Sequence, residues 1–222
     1  GTVGIYVCGV TPYDTTHVGH AFTFLTFDIL IRYLRYLDFP VTYVQNVTDI
    51  DDDILRKAKE LGVKWDELAR VETEKYRRDM RDLNALDPDH YVRATDHIPD
   101  MIALIEKLLA NGCAYEVNGS VYFSVDRFEE FGKLSHLPRE QMLPIANERG
   151  NNPNDPNKRD PLDFVLWQAA QPGEPTWDSP WGPGRPGWHI ECSAMASRYL
   201  GPQFDIHGGG ADLVFPHHEG EI

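Results

Sequence analysis

Positive charge is scarce in this sequence. Its 222 residues carry 21 Lys and Arg against 35 Asp and Glu, which gives a formal net charge of −14 and a pI near 4.9. Bulk electrostatics therefore does not predict a chain that grips nucleic acid by its overall field. The one modest basic cluster, Arg139, Arg149, Lys158 and Arg159, reads as an ordinary solvated loop. Cysteine is scarce as well. Cys8, Cys113 and Cys192 are odd in number and far apart, which argues against a secreted disulfide framework and makes a reducing, cytoplasmic setting the expectation. No window approaches the roughly 18 uninterrupted apolar residues of a membrane span, and no signal peptide is visible. Neither a Walker loop nor a GxGxxG turn occurs. What remains is 41% hydrophobic and 25% charged, the composition of a soluble globular protein. The length suits one large α/β domain with a small insertion.

The chain is organised around the stretch Cys8 to His20. It follows Val3-Gly4-Ile5-Tyr6-Val7, whose β-branched and aromatic residues predict a strand. It leads into Ala21 to Leu34, which reads as a largely buried helix. A polar loop with a thiol and two imidazoles thus joins the carboxyl end of a strand to the amino end of a helix, where open α/β sheets place ligands. His17 and His20 lie at that helix start, where free N–H groups and a partial positive charge attract phosphate. Taken alone, HxGH reads more readily as a pair of capping or packing residues.

Val41 to Val47 predicts a second strand, spaced for a right-handed parallel crossover. It ends in Asn46-Val47-Thr48-Asp49-Ile50-Asp51-Asp52-Asp53. These aspartates cap the helix predicted over 54–61 or bind a metal. Trp65, Leu68, Val71, Tyr76 and Met80 predict a helix within 64–84, and Ile98, Met101, Ile102, Leu104, Ile105 and Leu108 another over 97–110. Cys113 reads as a small buried residue. Asn118-Gly119 between two β-prone runs predicts a hairpin, the mark of an insertion between two halves of a nucleotide fold. Residues 138–161, rich in Asn, Pro and Arg, predict an exposed linker or flexible loop, and 173–187 a rigid aromatic loop. Trp188 opens a helix, Phe204 to His207 reads as a short strand, and Gly208-Gly209-Gly210 would let a flat base and ribose approach closely.

Cys8, Cys192 and His217-His218-Glu219-Gly220-Glu221 fall at predicted element ends. His217 and Glu221 are four apart and would share a helix face. Two thiolates, an imidazole and a carboxylate form a zinc set in kind. No CxxC supports it, and spacing leaves the site open.

Together the motifs are more specific than any one of them. Tyr6-Val7-Cys8-Gly9, His17-Val18-Gly19-His20, Asn46 to Asp52, Gly184 to Met195, Phe204 to Gly210 and Phe215 to Glu219 resemble the catalytic domain of the cysteinyl-tRNA synthetases, a class I family, over essentially the whole length. Thr11-Pro12-Tyr13-Asp14 with Thr16-His17, and Asn147-Glu148-Arg149-Gly150, also resemble the sister family, the mycothiol cysteine ligases. Asn118 to Phe123, Gly132-Lys133-Leu134-Ser135 and Glu221 instead resemble the synthetases, Glu221 as a zinc ligand that the sister family lacks.

The resemblance implies an α/β fold: a Rossmann-like class I catalytic domain with a parallel sheet flanked by helices and an inserted α+β segment. The nucleotide-fold halves are expected at about 1–85 and 160–222, with the insertion at about 86–159. It implies one Zn2+ held by Cys8, Cys192, His217 and Glu221. It further implies ATP with Mg2+, His17 and His20 on the ATP phosphates, and Thr11, Thr48 and Trp188 around the substrate cysteine. Gly210 and Asp212 are expected on adenosine, and Gly9, Thr23 and Asn46 complete the expected substrate-binding set. The implied reaction is activation of L-cysteine to cysteinyl-adenylate and transfer to tRNA(Cys). Transfer to an amino-sugar inositol, or a ligase-inactive fragment that only binds zinc and substrate, are the alternatives. The KMSKS signature and an anticodon-binding region do not occur in the sequence, so a truncated catalytic domain is expected, monomeric and with no membrane partner.

Overall fold

The computed structural model describes all residues, 1–222. In chain order the elements are β1 (Val3–Val10), α1 (Val18–Tyr36), β2 (Val41–Val47), α2 (Asp52–Leu61), α3 (Trp65–Asp82), β3 (His90–Arg93), α4 (Ile98–Ala110), β4 (Ala114–Val117), β5 (Ser120–Phe123), α5 (Arg139–Glu148), β6 (Phe164–Ala169), β7 (Gly184–Pro186), α6 (Trp188–Leu200) and β8 (Ile206–Gly208). No helix is long and apolar enough to cross a membrane. The chain forms two compact units, Gly1–His97 with Met195–Gly210, and Ile98–Ala194 with Ala211–Ile222.

The first unit is the nucleotide-fold sheet. Its strands lie in the order β3-β2-β1-β8 and every pairing is parallel. The strands earn this place by sequence: Ile5, Tyr6, Val7, Val44 and Val47 are buried, as strands covered on both faces require. From β1 the chain goes to β2 on one side, and β8 later pairs on the other. The carboxyl end of β1 is therefore a topological switch point, the ligand crevice of open α/β sheets. The core joins Ile5, Val7 and Val10 to Phe24 and Ile31 of α1 and to Tyr76 and Met80 of α3. Within it the Tyr43 hydroxyl donates to Gln45 Oε1 at 2.9 Å, and Gln45 Nε2 donates to the Tyr76 hydroxyl at 2.7 Å. Tyr43, Gln45 and Tyr76 thereby satisfy one another.

One expectation for this unit changes, and one open reading closes. Helix α1 is not largely buried: Phe24, Asp28 and Ile31 are, but Val18, Phe22, Ile29, Tyr33 and Tyr36 are exposed. These five recur at helical spacing on the face opposite Phe24 and Ile31, so the helix is apolar all round and only one side packs on the sheet. The aspartates after β2 cap. Asp51 accepts from the Asp53 N–H at 2.8 Å as N-cap of α2, and Asp49 accepts from the Thr95 N–H at 2.9 Å.

The second unit is built on an antiparallel sheet, β4-β5-β6-β7. The hairpin predicted at Asn118-Gly119 forms, with Ala114 to Val117 paired to Ser120 to Phe123. The stretch 138–161 is not simply a loop, because α5 occupies its first half. Met142 and Ala146, four apart, pack with Val125, Leu162 and Phe215. That burial outweighs the helix-breaking Pro144 inside α5. Likewise β7 lies within the aromatic stretch expected to be a loop, and Arg185 there is buried and bonds Glu174 at 2.9 Å. Cys113 is half-buried rather than buried.

Candidate functional site

In the first unit the site begins with a bulge. The β1–β2 register shifts between Val7 and Val10, across Cys8 and Gly9. Asn46 of β2 fills the break: its Oδ1 accepts from the Gly9 N–H at 2.8 Å, and its Nδ2 donates to Thr48 Oγ1 at 3.4 Å. A Cβ at position 9 would lie 1.6 Å from the Asn46 carbonyl oxygen, so glycine is required by close backbone approach. Gly9, Asn46 and Thr48 thus come together at the end of two adjacent parallel strands. Cys8 is buried there, with its sulfur 3.3 Å from His207 Nε2. His207 is a neighbour that sequence reading did not single out.

The two loop histidines stack, with ring centroids 3.8 Å apart and planes 20° from parallel. His17 is the N-cap of α1. Its Nδ1 accepts from the Gly19 N–H at 3.1 Å, which leaves the proton of the neutral ring on Nε2. It is therefore a cap, and its Nε2 is still a donor beside the positive end of a helix. Thr23, one turn on, donates its hydroxyl to the Gly19 carbonyl at 3.1 Å. Thr11 and His20 are partly buried in the same loop and first turn, and Gly210 is partly buried beyond β8.

In the second unit Cys192 of α6 and His217 and Glu221 of the C-terminal turn converge. One donor atom from each lies within 4.8 Å of the others. His217 Nε2 is 2.5 Å from Glu221 Oε1, and both side chains are all but fully buried. Trp188 stacks on His217, with centroids 4.1 Å apart and planes 14° from parallel. His189, also missed by the sequence reading, puts its Nδ1 3.0 Å from His217 Nδ1. Burial opposes charge on His217, but Glu221 and then Cys192 outweigh it and push its pKa up to about 10. Burial, and then the charge on His217, push His189 down to about 3. The neutral His189 thus accepts the Nδ1 proton of His217, and the Nε2 side of His217 faces the carboxylate. Thiol, imidazole and carboxylate are the donor types that zinc takes, and they are held together and away from water. The expected ligands Cys192, His217 and Glu221 fit such an ion. Asp212 sits elsewhere in this unit, exposed and 3.4 Å from Arg149 Nη1.

A family model described as tRNA synthetases class I (C) catalytic domain matches residues 1–222. The chain belongs to this family. A cysteine--tRNA ligase of Legionella pneumophila is 56% identical over the full chain, which covers 48% of that protein. The chloroplastic/mitochondrial cysteine--tRNA ligase of Arabidopsis thaliana is 56% identical over the full chain and 39% of its own length. The L-cysteine:1D-myo-inositol 2-amino-2-deoxy-alpha-D-glucopyranoside ligase of Thermomonospora curvata is 53% identical over 98% of the chain and 53% of its own length. The chain thus spans about half the length, or less, of these curated relatives. A Mycobacterium tuberculosis methionyl-tRNA synthetase structure, solved with methionyl-adenylate, aligns over 96% of the chain and 52% of its own, with a TM-score of 0.67 and 15% identity. That likeness supports the expected class I α/β fold, a parallel sheet flanked by helices.

Proposed function

We propose that this chain is the amino-acid-activating part of a cysteine--tRNA ligase. The observation that carries the reading is the buried Cys192–His217–Glu221 group, whose donors fit zinc, with Cys8 proposed as the fourth ligand. Bound there, zinc would favour a thiolate over a hydroxyl and so separate cysteine from serine, isosteres that a pocket alone distinguishes poorly.

The chain's own residues supply positioning and charge. Thr11, Thr48 and Trp188 hold the amino group and backbone of the substrate. Gly9, Asn46 and Thr23 complete the proposed substrate-binding set. His17 and His20, at the positive end of α1, donate to the ATP phosphates as the cysteine carboxylate attacks the α-phosphate and pyrophosphate leaves. Gly210 and Asp212 hold the adenosine. An acceptor then attacks the acyl carbon, the bond to the phosphate breaks and AMP leaves, and no side chain needs to form a covalent intermediate. Mg2+ accompanies ATP, and the cytoplasm is the proposed setting for a monomer.

The acceptor reading rests on Glu221. Its buried pairing with His217 supports tRNA, since the resemblance assigns that ligand to the synthetases. An amino-sugar acceptor is the second reading, supported by the Thermomonospora curvata relative. Exchange of pyrophosphate into ATP tests activation: it is expected with cysteine and not with serine, and exchange with neither contradicts the proposal. Transfer of radiolabelled cysteine to tRNA rather than to the amino sugar decides the acceptor.

A further inference from the structure

The C-terminal turn carries a third carboxylate that the proposed reaction does not use. Glu219 lies between His217 and Glu221 and is as deeply buried as His217, each 1% exposed. Its carboxylate faces a different part of the unit. The Gly132 and Leu134 N–H groups donate to Oε1 at 2.7 and 3.4 Å, and the Ser135 N–H donates to Oε2 at 2.8 Å. Closely spaced backbone N–H groups around one anion form a nest, and this nest is closed by a side chain of the protein itself. Such donors compensate the desolvation of a buried carboxylate.

The loop is shaped for this role. Gly132 has φ +100, so the first donor of the nest sits in a backbone conformation that L side chains rarely adopt. The turn needs support in return. It is a 3-10 piece of three residues, His218–Gly220, too short to sustain itself by its own hydrogen bonds. Phe215 packs edge-on against Phe131, just before the nest, with centroids 5.9 Å apart. Residues 217, 219 and 221 therefore divide the turn between two tasks: the outer pair meets at the metal group and the middle one clamps the 132–135 loop.

We infer that Glu219 is a positioning residue that locks the 132–135 loop to the turn bearing His217 and Glu221, so that metal occupancy and the order of that loop rise and fall together. This rests on the zinc reading above. Glu219→Gln keeps the shape but replaces one acceptor oxygen with an NH2 that opposes the loop N–H donors, so the turn and the loop can no longer meet as they do. Supporting groups of this kind are worth about 10–100-fold in metal affinity.

The test uses the 222-residue chain and zinc alone. Zinc affinity is measured by chelator competition for wild type and Glu219→Gln, and amide hydrogen exchange at Gly132 and Ser135 with and without zinc. The expected results are zinc affinity about 10–100-fold weaker in the variant, and zinc-dependent slowing of both amides in wild type that the variant loses. Equal affinity, or wild-type amides indifferent to zinc, overturns the coupling and leaves the metal reading standing. Wild type that binds no zinc overturns both. If the variant does not fold, the wild-type exchange comparison decides.

Discussion

A methyl group at position 9 would lie 1.6 Å from the Asn46 carbonyl oxygen, a clash of backbone with side chain that no rotamer relieves. Gly9→Ala is expected to cost about 3 kcal/mol in urea unfolding, and unchanged stability would contradict the bulge as described. Asp49 carries a pH signature. Its burial raises its carboxyl above the usual range, against the pull of its Thr95 hydrogen bonds. A group whose folded pKa is raised contributes stability in full below its unfolded pKa, and that contribution is lost as pH rises through the folded value. Relative to wild type, Asp49→Asn should therefore gain stability as pH rises from about 4 through the raised folded value. Parallel stability–pH curves for the two proteins would refute this. Cys8, His17, His20, Cys192, His217 and Glu221 are candidates in the sequence because they sit in motifs that carry a family resemblance. His189 and Glu219 are not. Their roles come from His217, 28 positions on, and from Gly132 to Ser135, some 84 to 87 positions back, and no local pattern encodes partners so distant.

Among the elements, α1 shows what pattern reading does and does not deliver. Its apolar residues are so dense that burial all round is the natural expectation, yet the sheet covers only the face of Phe24 and Ile31. Ile31→Ala should cost about 2–5 kcal/mol, whereas Ile29→Gln, two positions away and 67% exposed, should change stability by about 0.5 kcal/mol or less. Urea midpoints for the two variants check this, and comparable losses would mean that α1 is buried on both faces in solution. The parallel strands and the hairpin were legible because β-branched runs and Asn-Gly are local signals. Helix α5 was not, because Pro144 and its polar neighbours read as a break. The helix is paid for by Met142 and Ala146 packing on Leu162 and Phe215, which lie distant in sequence.

For the whole molecule, charge and chemistry point in different directions. A net charge of −14 opposes a polyanionic acceptor, so the chain alone is expected to bind tRNA weakly, with little of the steep salt dependence that many phosphate contacts bring. Tight, salt-sensitive binding in a filter assay would contradict that. The proposed activation chemistry needs no such surface. The central claim is that a metal held by the buried thiol–imidazole–carboxylate group reads the amino acid. The most direct measurement is zinc content together with calorimetric binding of L-cysteine and L-serine, before and after chelation. The account predicts one zinc per chain, with cysteine bound far more tightly than serine only while the metal is present. No zinc, or equal binding of the two amino acids with zinc in place, would contradict it.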